Sequence, residues 1–243
     1  MHRVAFIRAF SLCLALPVGC SAQPAEESKL HMPLTSRPIG PFSFFAALAL
    51  ALATYGTPAM AIEEPKYTSH VLEGAFELRQ YAPYLVAETA VAGDMDAASS
   101  QGFRAIADFI FGNNQAPGQS GSAKIAMTAP VTVEPRAADT PMREAQDWRV
   151  QFVMPSQYTL QTIPKPKNPA VTLREVPAKW YAVVRYPGIN TQSKVEDKTA
   201  ELLAWIKAKG WTPVAAPQLA RYDPPWTLPF WRRSEILVEV GGL

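Results

Sequence analysis

The tetrapeptide Phe76-Glu-Leu-Arg79 returns as Val171-Thr-Leu-Arg174, and the two copies open the same succession of signals. Each leads through a short polar turn into a β-rich run, Tyr84–Val91 in one half and Trp180–Tyr186 in the other. Val, Tyr, Trp and Thr are frequent in these runs, the residue types that suit a pleated, half-buried surface. Helical spacing comes next. Phe103, Ile106, Ala107 and Ile110 recur every three or four residues, and so do Val195, Thr199, Leu202, Leu203 and Ile206. Asp94 or Asp96 can cap the first helix, and Ser193 with Glu196 has capping-box spacing for the second. Gly112 and Gly210 stand where the helices should stop. Two such units bury their apolar faces as one antiparallel sheet with two helices on its face or flank. The expected class is α+β, built from an internal pseudo-repeat.

Three segments read as loops from their Gly, Pro and polar content: Gly112–Ser122, Pro135–Gln146 and Pro155–Pro169, the last partly polyproline II. None is long enough to separate domains, so residues 62–243 are expected to form a single domain.

Residues 1–61 read as an N-terminal leader. Two apolar stretches, Val4–Cys20 and Phe42–Met60, each have arginine near their head, and Ala59-Met60-Ala61 has the small-x-small form that signal peptidase accepts. A true start at Met32 reduces the two stretches to one signal peptide, cleaved after Ala61 to give a periplasmic or secreted chain. The alternatives are a lipoprotein at Cys20 or an uncleaved membrane anchor. The Ala-rich run is broken by Tyr55, Gly56 and Pro58 and makes a poor span, so no stable membrane span is expected after cleavage. Arg3, Arg8, Lys29 and Arg37 against Glu26 and Glu27 account for the whole net charge of +2. The remainder is neutral, without a Lys/Arg cluster, and offers no footprint for nucleic acid. Both cysteines, Cys13 and Cys20, lie in the leader, which excludes disulfides and thiolate ligands from the mature chain.

In Lys124–Val131 (KIAMTAPV), Ile125, Met127, Ala129 and Val131 alternate with Lys124, Ala126, Thr128 and Pro130, the period of a strand with one apolar side. This octet resembles the signature of the SOUL haem-binding protein family. Phe152-Val-Met-Pro155, Val171-Thr-Leu-Arg174, and Tyr222-Asp-Pro-Pro225 followed by Arg232-Arg233-Ser234-Glu235 resemble further family segments, in the family's order and spanning Tyr67 to Val240. Ser234 stands where the family has Asn. The resemblance implies a distorted eight-stranded antiparallel barrel-like sheet carrying two helices, with haem or porphyrin as the bound ligand.

The residues themselves exclude much chemistry. His70 is the sole histidine after residue 61, so a Ser-His-Asp arrangement has no second choice, and no nucleophile-elbow sequence accompanies it. Zinc sites of Cys and His cannot form. Gly118-Gln-Ser-Gly121 lacks the Lys of a phosphate loop. Asp94-Met-Asp96 lacks the later acidic and glycine positions of a calcium loop and reads as a helix cap. No catalytic constellation is visible, and the chain is expected to be a non-enzymatic binder.

Haem iron takes His, Cys, Met or Tyr as axial ligand. The resemblance places a ligand histidine at Gln80, a poor ligand, which leaves His70 as the histidine available. No metal-binding set is expected. A flat tetrapyrrole can instead be held by apolar burial and stacking, with few polar groups for orientation. In the family's groove, basic residues near the propionates correspond to Ser100, Asp108 and Thr227 here, and Arg104, one turn from Ser100, can supply the charge. The candidate haem-binding residues are therefore Phe103, Arg104, Ala107, Trp226 and Thr227, with Phe230 and Trp231 in the same aromatic cluster. Arg232, Arg233 and Glu235 read as a solvated strand entry with a structural ion pair, with a propionate-facing cluster as the alternative. The expected function is carriage or buffering of haem or a related tetrapyrrole in the bacterial envelope. A sensor or binding module for another apolar small molecule and a haem-modifying enzyme are the alternatives. Nothing in the sequence signals an oligomeric state.

Overall fold

Strands occupy the β-rich runs that the repeat marks out. The computed structural model describes residues 62–118, 121–138 and 140–242. The leader expectations, including the Met32 start, cleavage after Ala61 and the Cys20 alternative, lie outside the described residues. The first half comprises β1 (Tyr67–Glu73), β2 (Phe76–Tyr81), β3 (Tyr84–Ala92), α1 (Met95–Ile110), β4 (Asn114–Gln115), β5 (Val131–Pro135), β6 (Asp147–Val153) and β7 (Lys165–Pro166). The second comprises β8 (Val171–Val176), β9 (Lys179–Pro187), α2 (Gln192–Ala208), β10 (Thr212–Pro213), β11 (Gln218–Arg221), a 3-10 turn (Pro229–Trp231) and β12 (Arg233–Gly241). The main antiparallel sheet curls strongly into a half-barrel in the order β1-β2-β9-β12-β11-β5-β6-β3-β8, with β10 beside β12.

That order contains the repeat. Exchanging β2 with β8, β3 with β9, β5 with β11 and β6 with β12 reverses the series from β2 to β8 without changing a neighbour. The first strand of each repeat, β2 or β8, pairs with the other repeat's second strand, Arg79 opposite Tyr181 and Arg174 opposite Val86. The pseudo-twofold passes between Val133 and Leu219, which face each other and are both fully buried. The expected eight strands are this symmetric set, and β1 is a ninth strand added at one edge.

Alternation along the strands sends Leu85, Ala87, Val91, Val150 and Phe152 toward α1, and Leu78, Ala182, Val184, Ile236 and Val238 toward α2. α1 starts where Asp94 Oδ1 accepts from the N–H groups of Asp96 and Ala97 at 3.1 and 2.9 Å. It sits so close to β6 that a Cβ on Gly102 would lie 2.5 Å from Val150 Cγ2. α2 buries Val195, Leu202 and Ile206. Leu203, expected in that stripe, is exposed, because the helix turns Leu202 rather than its neighbour toward the sheet. The cap also differs from the sequence reading. Thr191, in extended conformation, accepts from Lys194 N at 3.3 Å, and Ser193 already lies inside the helix.

The octet and the first loop also depart from expectation. Residues 124–130 run without a strand ladder. Backbone bonds from Ile125 N to Ile110 O and from Ala129 N to Glu63 O, both 2.9 Å, hold them singly, and β5 begins only at Val131. Met127 is exposed, while Thr128 is buried with its hydroxyl donating to the Val153 carbonyl. Apolar alternation therefore held at Ile125 and Ala129, both buried, and failed at Met127 and Thr128, where one hydroxyl has a backbone acceptor inside. Within Gly112–Ser122, the buried Asn114 donates to the Phe109 and Ala123 carbonyls at 2.8 Å, and β4 pairs with β7. Side-chain bonds of this kind replace the missing ladder.

Candidate functional site

Because Leu78 points to α2, its neighbours Glu77 and Arg79 point to the sheet face away from the helices. A charged network fills this face. Arg79 donates to Glu235 through Nη1–Oε2 at 2.7 Å and Nη2–Oε1 at 3.1 Å, and to Glu77 Oε2 at 2.7 Å. Tyr222 donates its hydroxyl to Glu235 Oε2 at 2.7 Å, and Arg233 Nε reaches Oε1 at 3.0 Å. Burial alone would raise the Glu235 carboxyl, but Arg79 and Arg233 outweigh it and hold the group below the usual carboxylate range. The structural reading of Arg233 and Glu235 is thus what the packing carries out.

The other half has its own cluster. Glu134 accepts from Arg149 at 2.7 Å and Gln151 at 2.9 Å, and Glu88 accepts from Arg174 at 2.9 Å. Here desolvation wins over Arg149, and the Glu134 carboxyl is raised. Burial also raises Tyr84, to about 12. No group of three or more His, Cys, Asp or Glu among the described residues is placed to hold a metal ion.

Beside the Arg79 network lies a groove of about 460 Å³. The β1–β2 hairpin, the end of β9 and the 3-10 turn form its walls, and Tyr67, Arg79, Arg185, Phe230, Trp231 and Arg232 are among its lining residues. The turn is built by its prolines and two arginines. Thr227 N donates to the Pro224 carbonyl at 3.0 Å and Trp231 N to Leu228 at 2.9 Å. Arg232 Nε donates to the Thr227 carbonyl at 2.7 Å, with Nη2 on the Pro225 carbonyl. Arg233 N donates to Asp223 Oδ2 at 2.6 Å. The backbone's hydrogen bonds are thus made inside the segment, while its rings stay outside. Phe230 and Trp231 meet edge to face at 5.0 Å, and Trp226 is 82% exposed.

The residues chosen from sequence fall in two places. Phe103, Arg104 and Ala107 share α1. Phe103 lies 5.4 Å from the Phe152 ring yet is half-exposed, Arg104 is exposed and Ala107 is buried. Trp226 and Thr227 lie in the proline-rich segment before the 3-10 turn. Neither set lines the groove, whereas Phe230 and Trp231 of the same aromatic cluster do. His70 occupies the β-bulge between Ser69 and Val71 on the edge strand, exposed and 4.4 Å from the Trp180 ring. Arg185 and Tyr67 have no sequence signal. They sit in strands whose only visible pattern is β-propensity, and pairing across the sheet brings them to the groove.

Among solved structures the chain is similar to the C-terminal domain of EcmrR, at 13% identity and a TM-score of 0.53 over 73% of this chain and 99% of that one. It is also similar to EcmrR in its DNA complex (12%, TM-score 0.52, 83% of this chain and 66% of that one) and to an uncharacterized conserved protein from Listeria innocua (12%, TM-score 0.50, 68% and 92%). At these identities the likeness is one of fold. No protein with a curated description matches the sequence. The family model described as SOUL heme-binding protein matches residues 62–239, nearly all of the described structure. The chain, with its doubled half-barrel and paired helices, belongs to the SOUL haem-binding protein family.

Proposed function

We propose that this protein binds haem or a related tetrapyrrole by apolar burial against the Trp226–Trp231 segment, without a protein ligand to iron, and that it carries or buffers the ligand rather than transforming it. The observation that carries the reading is exposure: Trp226 at 82%, Leu228 at 48%, Phe230 at 64% and Trp231 at 70% stand together on a segment of six residues. A contiguous apolar surface of this kind marks a binding site, and flat rings suit a flat macrocycle.

The side chains present meet most of what haem needs. Aromatic surface and arginines match the ring and its propionates. The groove lining contains no His, Cys or Met; of its two tyrosines, Tyr67 stacks its ring against the Arg79 guanidinium and Tyr186 is buried, and neither is assigned to the iron. His70 stands on the edge strand against Trp180. When bound, the tetrapyrrole would supply its own redox and light-absorbing chemistry; the chain's part is to cover one face and orient the carboxylates.

Phe103, Arg104, Ala107 and Thr227 belong to the same proposal as the competing surface on α1 and the segment's start. Titration of hemin into Trp226→Ala, Phe230→Ala, Trp231→Ala and Phe103→Ala separates the two. Losses of about tenfold confined to the three segment variants support the proposed surface. A loss confined to Phe103→Ala moves the ligand to α1. Residence in the envelope, periplasmic or secreted, rests on the leader reading, and cell fractionation with N-terminal sequencing tests it. No helix among the described residues is long and apolar enough to cross a membrane.

A further inference from the structure

The groove under the 3-10 turn has an unbalanced charge. Four arginines line it: Arg79, Arg185, Arg232 and Arg233. Arg79 is engaged by Glu77 and Glu235, and Arg233 by Glu64 and Glu235, at 2.6–3.0 Å. Arg232 donates to two backbone carbonyls, which orient its guanidinium without cancelling its charge. Arg185 projects from β9, exposed, with no side-chain hydrogen bond or ion pair among the described residues. Its backbone is fixed, since Arg185 N donates to the Ala75 carbonyl at 2.9 Å and the residue stands opposite Glu235 in the ladder. Glu77 is the single acid in the lining, and Arg79 already holds it. Two cationic groups thus face a groove walled by Tyr67, Phe230 and Trp231.

Cations that no carboxylate neutralises, beside aromatic walls, select a ligand with a flat apolar body and carboxylates at its edge. We propose that this groove reads the ligand's carboxylates: the ring stacks on Phe230 and Trp231, and Arg185, seconded by Arg232, takes a propionate. The inference rests on the tetrapyrrole reading and adds to it the place and the residue that recognise the acid groups. That place differs from α1, where the sequence put Arg104. The groove lies on the helix-free side of the sheet, so Arg104 and Arg185 cannot serve one carboxylate.

Mesoporphyrin IX and its dimethyl ester make the test, because they share a ring and differ in the carboxylates. Fluorescence titrations would use the wild type, Arg185→Gln and Arg104→Gln, at low and moderate salt. The wild type should prefer the diacid by about tenfold or more, and the preference should shrink as salt screens it. Arg185→Gln should remove most of that preference while leaving ester affinity within about twofold. Its melting temperature should match the wild type, since Arg185 makes no ion pair to lose. Arg104→Gln should change neither ligand. An undiminished diacid preference in Arg185→Gln, or its loss in Arg104→Gln instead, overturns the assignment while leaving tetrapyrrole binding intact. Failure of both porphyrins to bind the wild type overturns the tetrapyrrole reading, and this inference falls with it.

Discussion

Glu235→Gln isolates the charge network that holds the helix-free face together. The carboxyl is fully buried and takes hydrogen bonds from Arg79, Tyr222 and Arg233. The substitution keeps the shape but turns one acceptor oxygen into an NH₂ that faces guanidinium groups. Breaking a buried ion pair by neutralising one partner costs about 3–5 kcal/mol, much of it the penalty of the charge left behind. Arg79 keeps Glu77 and Arg233 keeps Glu64, which places the expected loss near the lower end, about 3 kcal/mol. Urea unfolding monitored by tryptophan fluorescence reads this as a midpoint lowered by roughly 1–3 M at unchanged slope. The pH dependence supplies an independent sign. Glu235 titrates below its ordinary 4.5 in the folded state, so its contribution is present above that value and is lost as pH falls through the folded value. The variant should therefore show a shallower acid limb than the wild type. Glu134, raised by burial, works in the opposite direction and is common to both proteins. A variant within about 1 kcal/mol of wild type, with the same acid limb, would refute the argument that this pair stabilises the fold.

Two further perturbations probe the helices. Leu202→Asp places a charge at a fully buried site between α2 and the sheet and should cost several kcal/mol, whereas Leu203→Asp, on the exposed side, should cost less than about 1 kcal/mol. Equal effects by thermal melting would mean the helix is rotated from the position described. Gly102→Ala gains about 1 kcal/mol of helix propensity, yet its Cβ meets Val150 at 2.5 Å, and overpacking of roughly 1–3 kcal/mol should leave the variant less stable than wild type. A raised melting temperature would contradict that close approach.

The doubled architecture was legible because each half writes the same order of signals: FELR or VTLR, a β-rich run, a capped helix and a closing glycine. Asp94 capped as its spacing suggested, since an N-cap depends on neighbours two and three residues away. What failed depended on distant partners. Lys124–Pro130 has strand alternation but no strand beside it. The hydroxyl of Thr128 is buried because Val153 supplies an acceptor, which no local pattern announces. Leu202 and Leu203 are equally apolar, and only the docking angle of α2 separates them. The site divides in the same way. Trp226, Phe230 and Trp231 were visible as a cluster beside two prolines, but the groove partners Tyr67 and Arg185 lie far off in sequence. Arg79 and Glu235, likewise remote from each other, become a bidentate pair only through β9, which pairs with both of their strands.

The most direct test of the account is a pair of absorbance titrations, hemin and iron-free protoporphyrin IX, on the wild type and His70→Ala. Burial on the Trp226–Trp231 surface without an axial ligand predicts that the two ligands bind within about tenfold of each other, roughly 1.4 kcal/mol. It also predicts that His70→Ala leaves both curves and the hemin Soret band unchanged, as expected for a residue on the edge strand beside Trp180. A large loss of hemin binding in His70→Ala, with protoporphyrin binding unaffected, would show iron ligation by that histidine and contradict the account.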